Sequence, residues 1–289
     1  MAKNTELAPL ESFKIATRYE GMDEDMIAEL KEQMADLDDA GISCNVIKIP
    51  SGGGIAFEIQ MGGDPSDTDS QKEITGVVCF THRMNAYWST TYGSGEDGSQ
   101  IPTCSSMDGK TGLNTETGEI SNCDTCPLNQ YGTDIKGGKG KACKNMRRIY
   151  IMCDNDPTPY LLTVPPTSIK DVNKQLTRIL AAGIPYTNMI MRFKLEKTKN
   201  ANGVAYSKVI IEKAGPLPAG AAAAITGLRR EIKEQYSSMA ITMDDYVTVS
   251  DPAPAPAQAP AQSAPETQAP EPADVQDGDF EDAAPLPFK

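Results

Sequence analysis

The chain has 289 residues, 39% of them hydrophobic, and a formal net charge of −13; that is enough for one sizeable domain with appendages, but no apolar run is long enough to span a bilayer. The opening Met-Ala-Lys-Asn-Thr-Glu is no signal peptide, and seven cysteines in such a chain are better explained as thiols or thiolates than as disulfides, so a soluble protein of a reducing, cytoplasmic compartment is expected. The charge would exclude nucleic acid were it even, but residues 1–73 hold 6 basic and 16 acidic side chains, 74–243 hold 20 and 14, and 244–289 hold 1 and 10, leaving a basic middle between acidic ends.

Residues 1–41 read as an N-terminal acidic helix. Met26, Ile27, Leu30, Met34 and Leu37 fall on one helical face, with Asp23 as N-cap and Gly41 beyond the end. Core packing is the first meaning of such a face and a partner contact the second. From residue 42 the period changes to that of strands: 44–49 and 55–61 form a hairpin around Pro50-Ser-Gly-Gly-Gly54, 62–70 is a polar loop, and 73–82 is a third strand. An aromatic-rich segment follows, Arg83 to Tyr92, carrying Tyr87, Tyr92 and the only tryptophan, Trp88.

Four cysteines then fall in the pattern C-x18-C-x2-C-x16-C: Cys104, Cys123, Cys126 and Cys143. A C-x2-C knuckle lets two thiolates meet one ion from a tight turn, and two distant cysteines can close a tetrahedron around it. The segments between them are rich in Gly, Asn, Asp, Ser and Thr and have no apolar face, so one structural zinc would supply the missing core. Buried apolar cysteines, a redox C-x-x-C and an iron-sulfur cluster are the other readings. Cys44, Cys79 and Cys153 lie in apolar strand-like runs and read as core thiols, with Cys153 the reserve ligand.

After Cys143 come strands at 149–153 and 160–164, a stop at Pro165-Pro166, and a helix capped by Ser168 with Ile169, Val172, Leu176, Ile179 and Leu180 buried. Strands at 189–195 and 204–211 and a helix at 219–238 complete residues 42–243. This order predicts a mainly β fold with added helices (α+β): an OB-type five-stranded barrel with a helix between the third and fourth strands, and a zinc-binding insertion at about 93–147. Residues 244–289 are different in kind. A Pro/Ala-rich stretch with almost nothing to bury reads as a disordered linker to an acidic tail, in which Phe280, Leu286 and Phe288 stand among Asp277, Asp279, Glu281 and Asp282.

Catalysis has little to work with. His82 is the only histidine and reads as a packed or surface residue, no P-loop, dinucleotide-binding, H-E-x-x-H or G-x-S-x-G motif is present, and four cysteines would close a metal's shell, so the protein is expected not to be an enzyme. Lys136, Lys139, Lys141, Lys144, Arg147 and Arg148 instead form a basic run without an intervening acid, near Tyr131 and Tyr150 and downstream of Arg83, Tyr87, Trp88 and Tyr92. Cations beside aromatic rings are what single-strand binding requires, with Tyr150 the ring most expected in the core.

With these features the chain resembles phage-encoded single-stranded-DNA-binding proteins. The resemblance covers the plan of residues 42–289 and implies an OB barrel with an inserted zinc site and a mobile acidic tail that recruits replication or recombination proteins. Two differences stand out: the T4-type zinc site includes a histidine where this chain offers only cysteine, and Lys289 follows Pro287-Phe288, where bacterial tails end on Pro-Phe. The other functional class is a zinc-ribbon adaptor that binds a polymerase or nuclease without touching DNA.

Overall fold

The computed structural model describes residues 12–37, 43–64, 66–89, 101–135, 137–200, 203–239 and 241. The chain divides into units 1–251 and 252–289, the second lying wholly outside the described residues, as do Tyr92, Lys136 and the tail residues from Asp277 to Phe288. Among the described residues no helix is long and apolar enough to cross a membrane.

Among the described residues the architecture is mixed α/β, dominated by a large, mostly antiparallel sheet of eleven strands. Its axis is one long strand, Glu73–Tyr87, called β4 because β1 (Asn45–Lys48), β2 (Phe57–Gln60) and β3 (Thr68–Gln71) precede it. Its apolar residues Ile74, Val77, Val78 and Phe80 are followed, past a bulge at Cys79, by the buried Met84 and Ala86, so strand geometry persists past the point where the apolar run ends. Three short strands follow: β5 (Cys104–Ser106), β6 (Thr111–Asn114) and β7 (Ile120–Asn122). Then come β8 (Lys144–Cys153), β9 (Tyr160–Val164), β10 (Met189–Lys199) and β11 (Ala205–Pro216). β4 pairs with β8 from Gly76 to Ala86 along one edge; its other edge meets β10 at Glu73–Val77 and β5 at Asn85–Tyr87. The remaining order runs β8-β9-β1-β2-β3 outward, with β1 and β9 the parallel pair.

The two faces of β4 and β8 bury different things. On one face Ile74, Val78, Ile149 and Ile151 join Ile47, Phe57, Leu162, Phe193 and Val209 in the main core, closed by Val172, Leu176 and Ile179 of helix α2 (Pro166–Ala181). (Helix α1, Glu24–Asp36, comes earlier in the chain.) On the other face Val77, Cys79, Phe80, Tyr150 and Met152 lie under Phe13 and under Ile225, Leu228 and Ile232 of helix α3 (Ala222–Gln235). The chain after α3 continues along that face. Tyr236 sits 5.1 Å from the Phe80 ring and 4.7 Å from that of His82, and Ile241 joins Met84, Trp88 and Met146.

Several expectations change. The closed five-stranded barrel is not what the hydrogen bonding forms: β9 pairs with β8 and β1 and β11 pairs with β10, so the path stays open. A side chain ties β11 to the β1–β2 turn instead, the buried Ser207 hydroxyl being shared between the carbonyls of Pro50 and Gly54 at 2.7 and 2.8 Å. Residues 68–71, expected in a loop, form β3 through main-chain pairing alone, all four side chains being exposed. The strand does stop at Pro165-Pro166, but Pro166 already starts α2, since the first helical turn needs no donor there; Ser168 is thus inside the first turn rather than its cap, its Oγ accepting from Val209 N at 3.0 Å. Leu180 is exposed, and α1, capped by Asp23 on Met26 N, buries none of its residues, so its apolar face is not core packing.

Ser207→Ala tests the tie across the open edge. It leaves two carbonyls without that donor and should lower stability by about 1–3 kcal/mol, read from the denaturation midpoint in urea. A loss below about 0.5 kcal/mol, the usual range of surface substitutions, would show that the turn at 50–54 is held by other contacts.

Candidate functional site

The connection from β4 to β8 forms a module of its own. Ile101, Leu113, Ile120, Leu128, Tyr131 and Ile135 are all exposed, and the buried apolar side chains among the described residues between 101 and 143 are those of Pro102, Cys123, Ala142 and Cys143. Local polar bonds shape the rest: Asp108 Oδ1 accepts from the amides of Lys110 and Thr111 and from Ser106 Oγ at 2.7, 2.8 and 2.9 Å. These bonds outweigh burial and hold its carboxyl below the usual carboxylate range.

Within this module Cys104, Cys123, Cys126 and Cys143 line one cavity of about 20 Å³, room for a body the size of a water molecule, together with Gly112, Asn129 and Leu128. Cys104 comes from β5, the 123–126 pair from the turn after β7, and Cys143 from the residue just before β8. Gly112 is what lets two of them meet: a Cβ there would stand 3.1 Å from Cys104 Sγ and 3.5 Å from Cys123 Sγ. Burial first, then the neighbouring Cys123, Cys104 and Cys126, pushes the Cys143 thiol up to about 12. All seven cysteines are free. Among the described residues no three His, Cys, Asp or Glu side chains are arranged as a formed metal shell, so the four thiols share a cavity without being gathered to ligand distance. Cys153 does not line it. It packs against the main core and, like Cys44 and Cys79, is raised to about 12 by burial above all.

Three asparagines that sequence reading missed join the module to the sheet. Asn85 of β4 and Asn145 of β8 are register partners, and Asn145 Nδ2 donates to Asn85 Oδ1 at 2.7 Å and to Asn129 Oδ1 at 2.9 Å. Asn129, buried, donates in turn to the carbonyl of Cys123 at 2.7 Å, and Asn85 to that of Gly109 at 3.2 Å. The available signal was slight: Asn145 stands two residues after Cys143, and Asn85 lies in the polar stretch that ends β4.

The same contacts define a continuous polar face. From Asn129 it runs to Lys141, whose Nζ donates to Asn129 Oδ1 at 3.2 Å and lies 5.1 Å from the centre of the Tyr131 ring, which is 82% exposed. In the other direction the rung beyond Asn85 and Asn145 is Arg83 opposite Arg147, two residues along each strand and so on the same side of the sheet. Arg147 is half-buried, its Nη1 donating to Thr81 Oγ1 at 3.1 Å, and Arg83 is exposed. Lys144 is half-buried and pairs with Asp134 at 3.4 Å, Tyr87 is half-buried beside the cysteine cavity, and Lys139 is exposed.

Two residues expected to meet nucleic acid are instead inside the protein. Trp88 is 6% exposed under Ile241, and Arg148, on the face of β8 opposite to Arg147, is 2% exposed with Nη1 donating to the Met239 carbonyl at 3.3 Å. Tyr150 is fully buried, in the core as expected. His82 is packed: its Nδ1 lies 2.9 Å from the Met107 carbonyl, and burial lowers its pKa, leaving it neutral at pH 7. No family model matches the chain, and neither does any curated protein or solved structure.

Asn129→Ala removes the centre of the joint, leaving the Cys123 carbonyl and the Asn145 amide without their partner. It should cost about 1–3 kcal/mol and speed amide hydrogen exchange in 104–143 before it does so in β4, β8 and β10. Equal acceleration throughout would mean that module and sheet open as one unit.

Proposed function

We propose that the chain is a non-enzymatic single-stranded-DNA-binding protein of a replication or recombination system, built on an OB-type barrel with one structural zinc in the cysteine module. The observation that carries this reading is the face running from Tyr131 and Lys141, across the three neutral asparagines, to Arg83 and Arg147: an exposed ring and a lysine at one end and two arginines at the other, able to stack a base and neutralise phosphates. Tyr131 takes the stacking role that the sequence suggests for Trp88.

The connectivity supports the barrel. β4, β8, β9, α2, β10 and β11 follow the OB order, the first strand pairing with the second and fourth, the helix lying between the third and fourth, and β1 and its turn filling the gap where the third and fifth would close. In that arrangement the cysteine module is the connection between first and second strands, a position from which OB-folds contact oligonucleotides. The donor set fits zinc: four thiols around one small cavity, in a segment with no leucine, isoleucine or tyrosine buried. The metal would be held by Cys104, Cys123, Cys126 and Cys143 and would cross-link the module; it is assigned no reaction. The acidic tail around Phe280, Leu286 and Phe288 is proposed to recruit partner proteins. One observation favours the adaptor reading: Leu113 and Ile120, facing each other across β6 and β7, are both exposed.

Three measurements decide among these. Metal analysis should find about one zinc per chain, lost on Cys123→Ser with the barrel still folded. A labelled single-stranded oligonucleotide should bind with an affinity that falls steeply with salt, and Tyr131→Ala should cost about 1–3 kcal/mol of that affinity. Iron or no metal in the purified protein would sink the zinc assignment. No affinity for the strand at low salt would leave the adaptor.

A further inference from the structure

We infer that Arg83 and Arg147 form a phosphate-binding subsite, a two-guanidinium clamp for one backbone phosphate of a strand crossing the β4–β8 ladder. The inference rests on the strand-binding reading only for the source of the phosphate.

Two arginines stand directly opposite each other in an antiparallel ladder, an arrangement in which like charges repel. Among the described residues no ion pair offsets it. The ion pairs among the described residues lie elsewhere, and what bears on the charge of Arg147 is burial, then Arg83, both disfavouring it, with only Tyr186 acting the other way. Arg147 is nonetheless fixed in place, with Nη1 on Thr81 Oγ1, while its Nε is buried and has no acceptor. Arg83 is positioned by backbone: Gly109, at a φ of +70°, packs so closely that a Cβ there would come within 2.9 Å of the Arg83 Cβ. The next rung, Asn85 and Asn145, is neutral and tied into the module. The result is a localised, uncompensated double positive charge at the joint between sheet and module.

The chemistry selects the ligand. Paired guanidinium forks match the several oxygens of a tetrahedral phosphate, and such charge-assisted bonds are roughly twice as strong as neutral ones. Because Arg83 is exposed, the pair opens onto a surface; a small free ligand would want enclosure, whereas a phosphate carried on a chain can be laid across it.

Arg83→Gln in the full chain, with its metal retained, is the test. In the free protein the thermal midpoint should rise, since the cross-strand repulsion is gone. Inorganic phosphate, at ionic strength held constant with chloride, should raise the midpoint of the unsubstituted protein and not that of the variant. With a fluorescein-labelled oligothymidine the variant should bind about tenfold more weakly. Its slope of log affinity against log salt should be shallower by about 0.7, the share of one phosphate contact. A variant with unchanged affinity and slope overturns the subsite while strand binding stands. Phosphate stabilisation that depends on Arg83, in a protein that binds no oligonucleotide, supports the anion subsite and overturns the strand-binding reading. A variant less stable than its parent, with phosphate inert toward both, overturns the subsite, the pair then being a packing feature.

Discussion

The segment between β4 and β8 has no hydrophobic interior, and the rest of the site depends on that. Its larger aliphatic and tyrosine side chains face outward, so apolar burial cannot hold residues 101–143 in place. What remains is the meeting of four thiols in one cavity and a joint of three asparagines that ties the Cys123 carbonyl to the ends of β4 and β8. Order in the module is therefore polar in origin. Because Asn85 and Asn145 belong to both the joint and the sheet, the position of the thiol cluster is coupled to the register of the β4–β8 ladder.

That ladder explains how one fold can serve two purposes. The first half of β4 buries Ile74 and Val78 in the main core, with β10 on its free edge; the second half leaves β10 behind, meets β5, and carries polar residues at the positions that faced the core. A bulge at Cys79 makes the exchange: beyond it Thr81, Arg83 and Asn85 take the side that Ile74 and Val78 hold in the core, while Phe80, His82 and Met84 stay under the chain that follows α3. Arg147 and Arg148, neighbours in sequence, accordingly have opposite fates, one on the open polar face and one sealed beneath Met239.

Much of this was legible beforehand, and the failures have a common cause. The alternating strands β1, β2, β4, β8, β9, β10 and β11 and helix α2 announce themselves locally, and the C-x2-C knuckle between Gly- and Asn-rich loops marked the module without any contact information, although its short strands β5, β6 and β7 read only as loop. β3 was invisible because Thr68-Asp-Ser-Gln71 has no apolar alternation; its pairing with β2 is main-chain only. Trp88 and Arg148 were misassigned because composition cannot tell what will cover a residue. Their covers, Ile241 and Met239, come from far along the chain. Closure of the barrel was misjudged for a similar reason: residues 45–48, a simple hairpin arm in sequence, take the place beside β9 that a fifth barrel strand would have occupied.

The central claim is that the four cysteines act as one metal site, and X-ray absorption at the zinc edge of the purified full chain tests it most directly. The account predicts a single shell of four sulfur neighbours at about 2.3 Å, the distance of zinc-thiolate bonds. Nitrogen or oxygen in the first shell, or an ordered module in protein that holds no zinc, would contradict it.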